Sequence, residues 1–327
     1  MTTNTLVNKS CPVCGSKERK NSYEAREMYY GTRQKFEYLE CRSCDAVYIS
    51  ELPDNIASFY PENYHCHVSK SCYFPENLSQ KIVISRDQAA ITGRGVIGKL
   101  FAMLKPAPQL LEILSHLRLT LDSKVIDVGC GSADLLKRLE KLGFTNLTGV
   151  DPYLPERLMA NGSKLNLIKN DIYGLGEKFD AVIFNHSLEH MQDHAGILKK
   201  TKTLLKDNGK CCVRIPLVGE AWRRYASDWV QLDAPRHFTL HSPKSFRLLA
   251  ESCGFKIEKV IYDSSAKQFA KSEIYRRDIS SSEFAEKYEG KLTNLFSEEK
   301  IMQYKKLAAK CNEMGTGDQA SFILSPA

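Results

Sequence analysis

The chain has 327 residues, 43% of them hydrophobic and 26% charged, with a formal net charge of +7. This length holds about two domains with a sizeable core, and the composition is that of a globular protein without repeats. No apolar run approaches the roughly 18 residues of a membrane span, and the N-terminus lacks the apolar centre of a signal peptide, so a cytoplasmic location is expected.

Residues 1–64 are polar and carry Cys11, Cys14, Cys41 and Cys44 in a CxxC…CxxC set. Two such knuckles supply four thiolates in tetrahedral array, the donor set of a closed structural zinc site. The odd total of eleven cysteines does not suggest a disulfide framework. Phe36–Leu39 and Ala46–Ile49 read as short strands between turn residues. A small zinc-ribbon domain is expected here, with metal binding supplying much of its folding energy. Across residues 1–75 basic and acidic side chains are equal in number, so nucleic acid is not the expected partner. His65, Cys66, His67 and Cys72 form a second cluster. Its spacing matches no common metal site, so surface or interface residues are the expectation.

Residues 65–118 read as a helical connection interrupted at Pro106 and Pro108. From Lys124 the pattern alternates between short buried strands and amphipathic helices. The strands are Val125–Val128, Leu147–Val150, Leu165–Ile168, Ala181–Phe184 and Cys211–Ile215. Helices are clearest at Ala133–Leu142, Ala195–Leu205 and Ser242–Cys253, the last with Pro243 in its first turn and Gly254 at its end. This is an α/β pattern, implying a mostly parallel sheet covered on both faces. Phe255–Ile261 and Ala320–Leu324 read as two further strands, with residues 264–317 as a helical insertion that either braces the sheet edge or helps bind substrate.

The chemistry-bearing residues cluster at strand ends. Asp127-Val-Gly129-Cys130-Gly131-Ser-Ala133 follows the first strand of this half. Glycines there let backbone approach a ligand, and a helix N-terminus favours negative charge. Alone, the turn equally suits a dinucleotide. Asp151 and Pro152 close the second strand, where a carboxylate accepts from ribose hydroxyls. Asp171 and Ile172 follow the third, and Asn185 and His186 end the fourth.

Together with FDAVIFNHSLEHMQD, this set resembles the class I S-adenosylmethionine-dependent methyltransferases over roughly residues 110–262. The resemblance implies a Rossmann-like sheet whose last strand is antiparallel, in a domain spanning 119–327. It implies that Gly129, Cys130 and Gly131 approach the methionine part of the cofactor, with Asp127 near its amino group. Asp151 with Pro152 would face the ribose, Asp171 and Ile172 the adenine, and Asn185 and His186 the far end of the site. Ala133 stands where the family has a third glycine.

The cysteine ribbon, SFYPENYHCH and WVQLDAPRHFTLHSP together resemble bacterial methyltransferases of sugar and surface-polysaccharide biosynthesis. That implies a small, sugar-like acceptor. The related sugar C-methyltransferases carry a further C-terminal domain that this chain has no room for, which leaves oxygen methylation open. An acceptor hydroxyl needs a proton removed, and histidine suits that task. His237 is the first candidate base, with His186 and His241 behind it; Glu189-His190 is expected to pack. Trp229, Tyr225 and Arg236 are candidates for lining a sugar or phosphate site, with a core tryptophan and a surface arginine as the alternatives. Two other functions fit parts of the pattern. One is a zinc-containing ribosomal-RNA methyltransferase. The other is a non-catalytic binding protein that docks through its ribbon. Oligomeric state is not legible.

Overall fold

The computed structural model describes residues 10–60, 78–154 and 164–327. The His65, Cys66, His67 and Cys72 cluster lies outside the described residues.

The N-terminal module has three strands, β1 (Arg19–Arg26), β2 (Lys35–Cys41) and β3 (Val47–Ile49), paired antiparallel. The sequence reading located the last two and missed β1, whose side chains are mostly exposed and give no apolar alternation. Three helices follow: α1 (Leu78–Thr92), α2 (Val96–Leu104) and α3 (Gln109–Leu114). The chain breaks between α2 and α3 where Pro106 and Pro108 fall, because proline supplies no amide donor to a helix. These helices are more than a connection. Ile91, Leu111, Ile113 and Leu114 join the apolar layer on one sheet face. By contrast, α2 leaves Val96, Ile97, Leu100, Met103 and Leu104 exposed.

The central sheet is built from β4 (Lys124–Val128), β5 (Asn146–Val150), β6 (Asn166–Ile168), β7 (Phe179–Asn185), β8 (Leu205–Pro216), β10 (Phe255–Tyr262) and β11 (Gln319–Pro326); β9 (Thr239–Leu240) lies elsewhere. Its spatial order is β10-β11-β8-β7-β4-β5-β6. β4 pairs parallel with β5 and β7, β5 with β6, and β7 with β8. β11 runs antiparallel to both neighbours. Strand order reverses beside β4, and such switch points leave a crevice at the carboxyl ends of the strands.

Helices α4 (Asp134–Lys141), α5 (His194–Leu204) and α7 (Pro243–Ser252) cover the sheet. Two of them begin where the sequence provides a side-chain cap. Asp193 accepts from the Gly196 amide ahead of α5. Ser242 and Ser245 form a capping box at α7, followed by Pro243 at its first position. Such a cap contributes about 1 kcal/mol. Phe246 of α7 lies 4.2 Å, centroid to centroid, from Phe322 of β11. Each buried phenylalanine of this kind contributes about 2 to 3 kcal/mol. Ala133 precedes α4 in a left-handed conformation, φ +58, which explains why the related enzymes favour glycine there.

The remaining helices are α6 (Glu220–Tyr225), α8 (Ala266–Arg276), α9 (Ser281–Tyr288) and α10 (Glu298–Glu313). The last three occupy the expected insertion. They do not reach the carboxyl-edge cleft described below. They share one apolar cluster with α6 and with the N-terminal module, in which Tyr38, Val47 and Phe59 meet Trp222, Trp229, Phe269 and Tyr304. The small module therefore draws its core partly from the other end of the chain. Its sheet is also completed from there, because β9 pairs antiparallel with β3.

Candidate active site

The turn after β4 is shaped by two glycines with left-handed backbones, Gly129 at φ +73 and Gly131 at φ +50. A Cβ on Gly129 would stand 2.5 Å from the Cβ of Ser187, so only glycine fits. Asp151 clasps this turn. One carboxylate oxygen accepts from the Gly131 amide at 3.0 Å and the other from the Tyr153 amide at 2.7 Å. Each oxygen keeps a lone pair for a further donor.

Asp127 is 3% exposed, and its Oδ1 has no partner among the described residues. Burial, reinforced by the negative charge of Asp151, pushes its carboxyl up to about 8. A buried carboxyl with a vacant oxygen beside a glycine turn is matched by an ammonium group.

The glycine turn and Asp151 border a cleft of about 430 Å³ at the carboxyl ends of the strands. Gly129, Gly131, Asp151, Pro152 and His186 line it, with Tyr60, Tyr153, Tyr173, His190, Met191 and Phe238. Asp127, Cys130, Asp171, Ile172 and Asn185 are not among the lining residues. Asp171 instead caps a short turn, accepting from the Tyr173 amide at 2.9 Å and the Gly174 amide at 3.2 Å. Asn185 accepts from Arg214 Nη1 at 3.1 Å. Cys130 and Ile172 are buried.

His186 follows β7 with φ +56, an uncommon conformation for a residue with a side chain, costing roughly 1 kcal/mol or more. Its Nδ1 pairs with Glu189 Oε1 at 3.3 Å. Glu189 is 2% exposed. Burial alone would raise its carboxyl, but the His186 hydrogen bond and the charges of His186, His237 and His190 outweigh it and hold it at about 2. The carboxylate thus fixes the imidazole and leaves Nε2 with a lone pair.

His190 and His237 stand together, ring centroids 4.6 Å apart. His190 Nδ1 lies 3.0 Å from the Arg236 carbonyl and 3.2 Å from the Tyr60 hydroxyl. Burial, then repulsion from His237, lowers its imidazole to about 4. His237, expected to be the leading base, is 6% exposed and does not line the cleft. Its Nδ1 is 2.7 Å from the Gln231 carbonyl. His241 is a correction. It is 1% exposed, with Nε2 2.8 Å from His194 Nδ1 and Nδ1 3.1 Å from Ser245 Oγ. Both nitrogens are taken, so it supports the start of α7.

Three more expected contacts face the core. Trp229 is 1% exposed and donates from Nε1 to Asp318 Oδ2 at 2.8 Å. Tyr225 is buried beside Phe269. Arg236 is fully buried, donating to Glu27 at 3.0 Å and to Asp233 at 2.6 Å. Glu27 in turn accepts from the amides of Tyr29, Tyr30, Gly31 and Thr32. The proline-arginine-histidine segment is thereby a clamp between the module and the catalytic half. Ser242 Oγ donates to the Cys44 carbonyl, Tyr38 to the His237 carbonyl, and the Phe238 amide to the Glu189 carbonyl.

The four module cysteines converge, with all Sγ atoms within 4.8 Å of one another. Cys11 and Cys44 are 3.6 Å apart, Cys14 and Cys41 3.5 Å. Tetrahedral zinc with bonds of about 2.3 Å separates its sulfurs by about 3.8 Å, so the four residues fit the ion.

The sequence reading missed Tyr60, Tyr153, Tyr173, Met191 and Phe238, and placed Glu189 and His190 in packing roles. A signal was present, because His186, Glu189 and His190 recur at the i, i+3, i+4 spacing of one helical face. Tyr60 and Phe238 arrive from distant parts of the chain and leave no such trace.

Residues 101–260 match the family described as a methyltransferase domain. The ubiquinone biosynthesis O-methyltransferase of Actinobacillus pleuropneumoniae serotype 7 is 34% identical over 100 residues, covering 26% of this chain and 42% of that enzyme. The tRNA U34 carboxymethyltransferase of Campylobacter hominis is 31% identical over 96 residues, covering 27% and 34%. The chain thus spans less than half the length of these relatives. The cyclopropane synthase MmaA2 from Mycobacterium tuberculosis superposes with a TM-score of 0.43 at 15% identity, covering 66% of this chain and 83% of its own. The match marks residues 101–260 as similar to methyltransferase domains, and the strand order and the glycine turn accord with that likeness.

Proposed function

We propose that this chain transfers the methyl group of S-adenosylmethionine to a hydroxyl of a small acceptor, a sugar or nucleotide-sugar being the acceptor class. One observation carries the reading: a single cleft joins the glycine turn and Asp151 to the His186–Glu189 pair. When bound, the cofactor supplies an electrophilic methyl on a sulfonium. Asp127 offers its vacant oxygen to the cofactor ammonium, and Asp151 its remaining lone pairs to the ribose. His186 Nε2 takes the acceptor proton while Glu189 stabilises the resulting imidazolium. The new bond joins the acceptor oxygen to the methyl carbon, and the sulfur keeps the electron pair of the broken one. Holding the two reactants in line supplies much of the rate enhancement.

The oxygen as acceptor atom is supported by the Actinobacillus relative, an O-methyltransferase. Tyrosine faces in the cleft suit the apolar side of a sugar ring. Zinc at Cys11, Cys14, Cys41 and Cys44 would brace the module and, through the Ser242–Cys44 bond, the start of α7. The test is methyl transfer from deuterated cofactor to a panel of nucleotide-sugars, simple sugars, catechols and transfer RNA, read by mass spectrometry. Mass gain on a sugar supports the whole reading. Gain on a catechol or RNA alone removes the sugar, and failure of the zinc-loaded protein to bind S-adenosylmethionine removes the enzyme.

A further inference from the structure

We infer that Glu189, His190 and His237 form a second metal site, for a divalent transition cation at the edge of the cleft. One donor atom from each lies within 4.8 Å of the others. Four further observations make this a built site. Glu189 is 2% exposed; its Oε1 is engaged by His186, while Oε2 has no partner among the described residues. A buried carboxylate oxygen left unpaired is destabilising, and a cation removes that cost. Each histidine is anchored through Nδ1 to a backbone carbonyl, His190 to Arg236 and His237 to Gln231. That pattern sets the tautomer and leaves Nε2 as the ligating nitrogen, the second-shell arrangement of metal-bound histidine. Asp233 Oδ2 lies 3.9 Å from His237 Nε2, adding negative charge beside it. Finally, His190 lines the cleft, which gives an ion an entry path.

Two imidazoles and one carboxylate suit zinc or iron(II) and leave coordination positions open. The donor set differs in softness from the four thiolates of the module. The two sites are joined through the chain: the Phe238 amide holds the Glu189 carbonyl, and Ser242 holds Cys44. A cation here would polarise an acceptor hydroxyl in the cleft, whose proton passes to His186 Nε2. That role rests on the proposed methyl transfer, whereas metal binding itself does not.

The experiment separates the two. The full chain is loaded with zinc, desalted and assayed for metal content and for S-adenosylmethionine affinity. Wild type is expected to hold two equivalents, and Glu189→Gln and His237→Gln one each. Cys11→Ser/Cys14→Ser is also expected to hold one. Cofactor affinity within about threefold of wild type certifies that the Glu189 and His237 variants are folded; should one fail to fold, the other decides. A wild type with one equivalent, or a folded variant that keeps two, overturns the site. In either case intact cofactor binding leaves the methyltransferase reading standing, and lost cofactor binding with two metals retained does the reverse.

Discussion

Asp127 gives the sharpest prediction, because one substitution should strengthen the fold and weaken the function together. Its carboxyl ordinarily titrates at 3.8 and is raised to about 8 by burial and then by Asp151. Between those values the native state holds a proton that the unfolded chain has lost. Native protein then binds more protons than unfolded, so stability falls as pH rises through this window, by about 1.4 kcal/mol per unit. At pH 7 the accumulated loss is about 4 kcal/mol. For a chain of 327 residues that corresponds to roughly 6 °C in melting temperature. Asp127→Asn should therefore melt higher than wild type at neutral pH, with the gap closing near pH 4. In the same variant, loss of a charge-assisted bond to the cofactor ammonium should weaken S-adenosylmethionine by about 1.5 to 3 kcal/mol, or roughly 10- to 100-fold. In wild type at pH 7, cofactor binding should release up to about one proton, seen calorimetrically as a binding enthalpy that depends on the buffer. Thermal melts across the acid-to-neutral range, paired with calorimetry, check all three. Parallel pH curves for wild type and variant, or unchanged affinity, would refute the argument.

Other predictions test separate parts of the structure. Gly129→Ala places a Cβ 2.5 Å from Ser187 and strains a φ of +73, so cofactor affinity should drop at least about tenfold by calorimetry, while the circular dichroism spectrum stays native. In protein loaded with zinc, Cys44→Ser or a strong chelator should lower the melting temperature by several degrees, since the four cysteines lie next to the β3–β9 pair and Cys44 accepts from Ser242; an unchanged melt would show that an ion there contributes nothing. Trp229→Phe removes the indole donor from the buried Asp318 carboxyl, which keeps Ser264, and should cost about 1 to 3 kcal/mol in denaturant unfolding while kcat stays near wild type. A large fall in kcat with stability intact would return Trp229 to the active site.

The sequence by itself determined what is local. Glycines at 129 and 131, acids closing β4 and β5, a proline-led helix at 243 and paired cysteines each impose a geometry on their own few residues. Such constraints are legible because the period and the turn chemistry lie within one window. The β-α alternation then set the sheet, and of the late pair β10 was visible as apolar alternation and β11 as a short, mostly apolar stretch. What only tertiary structure decided is which of several histidines meets the cleft. His186, His190, His237 and His241 all lie near strand ends, and residue type cannot rank them. Packing does: β9 crosses to pair with β3, which draws His237 and His241 inward. The Glu189 carboxylate turns His186 into the oriented one, and Tyr60 closes over His190 from 130 residues away in sequence. The same contact between chain ends merged a module that reads as separate into a shared core with α8 and α10. Long-range burial of this kind depends on which surfaces meet, and no local window of sequence records that.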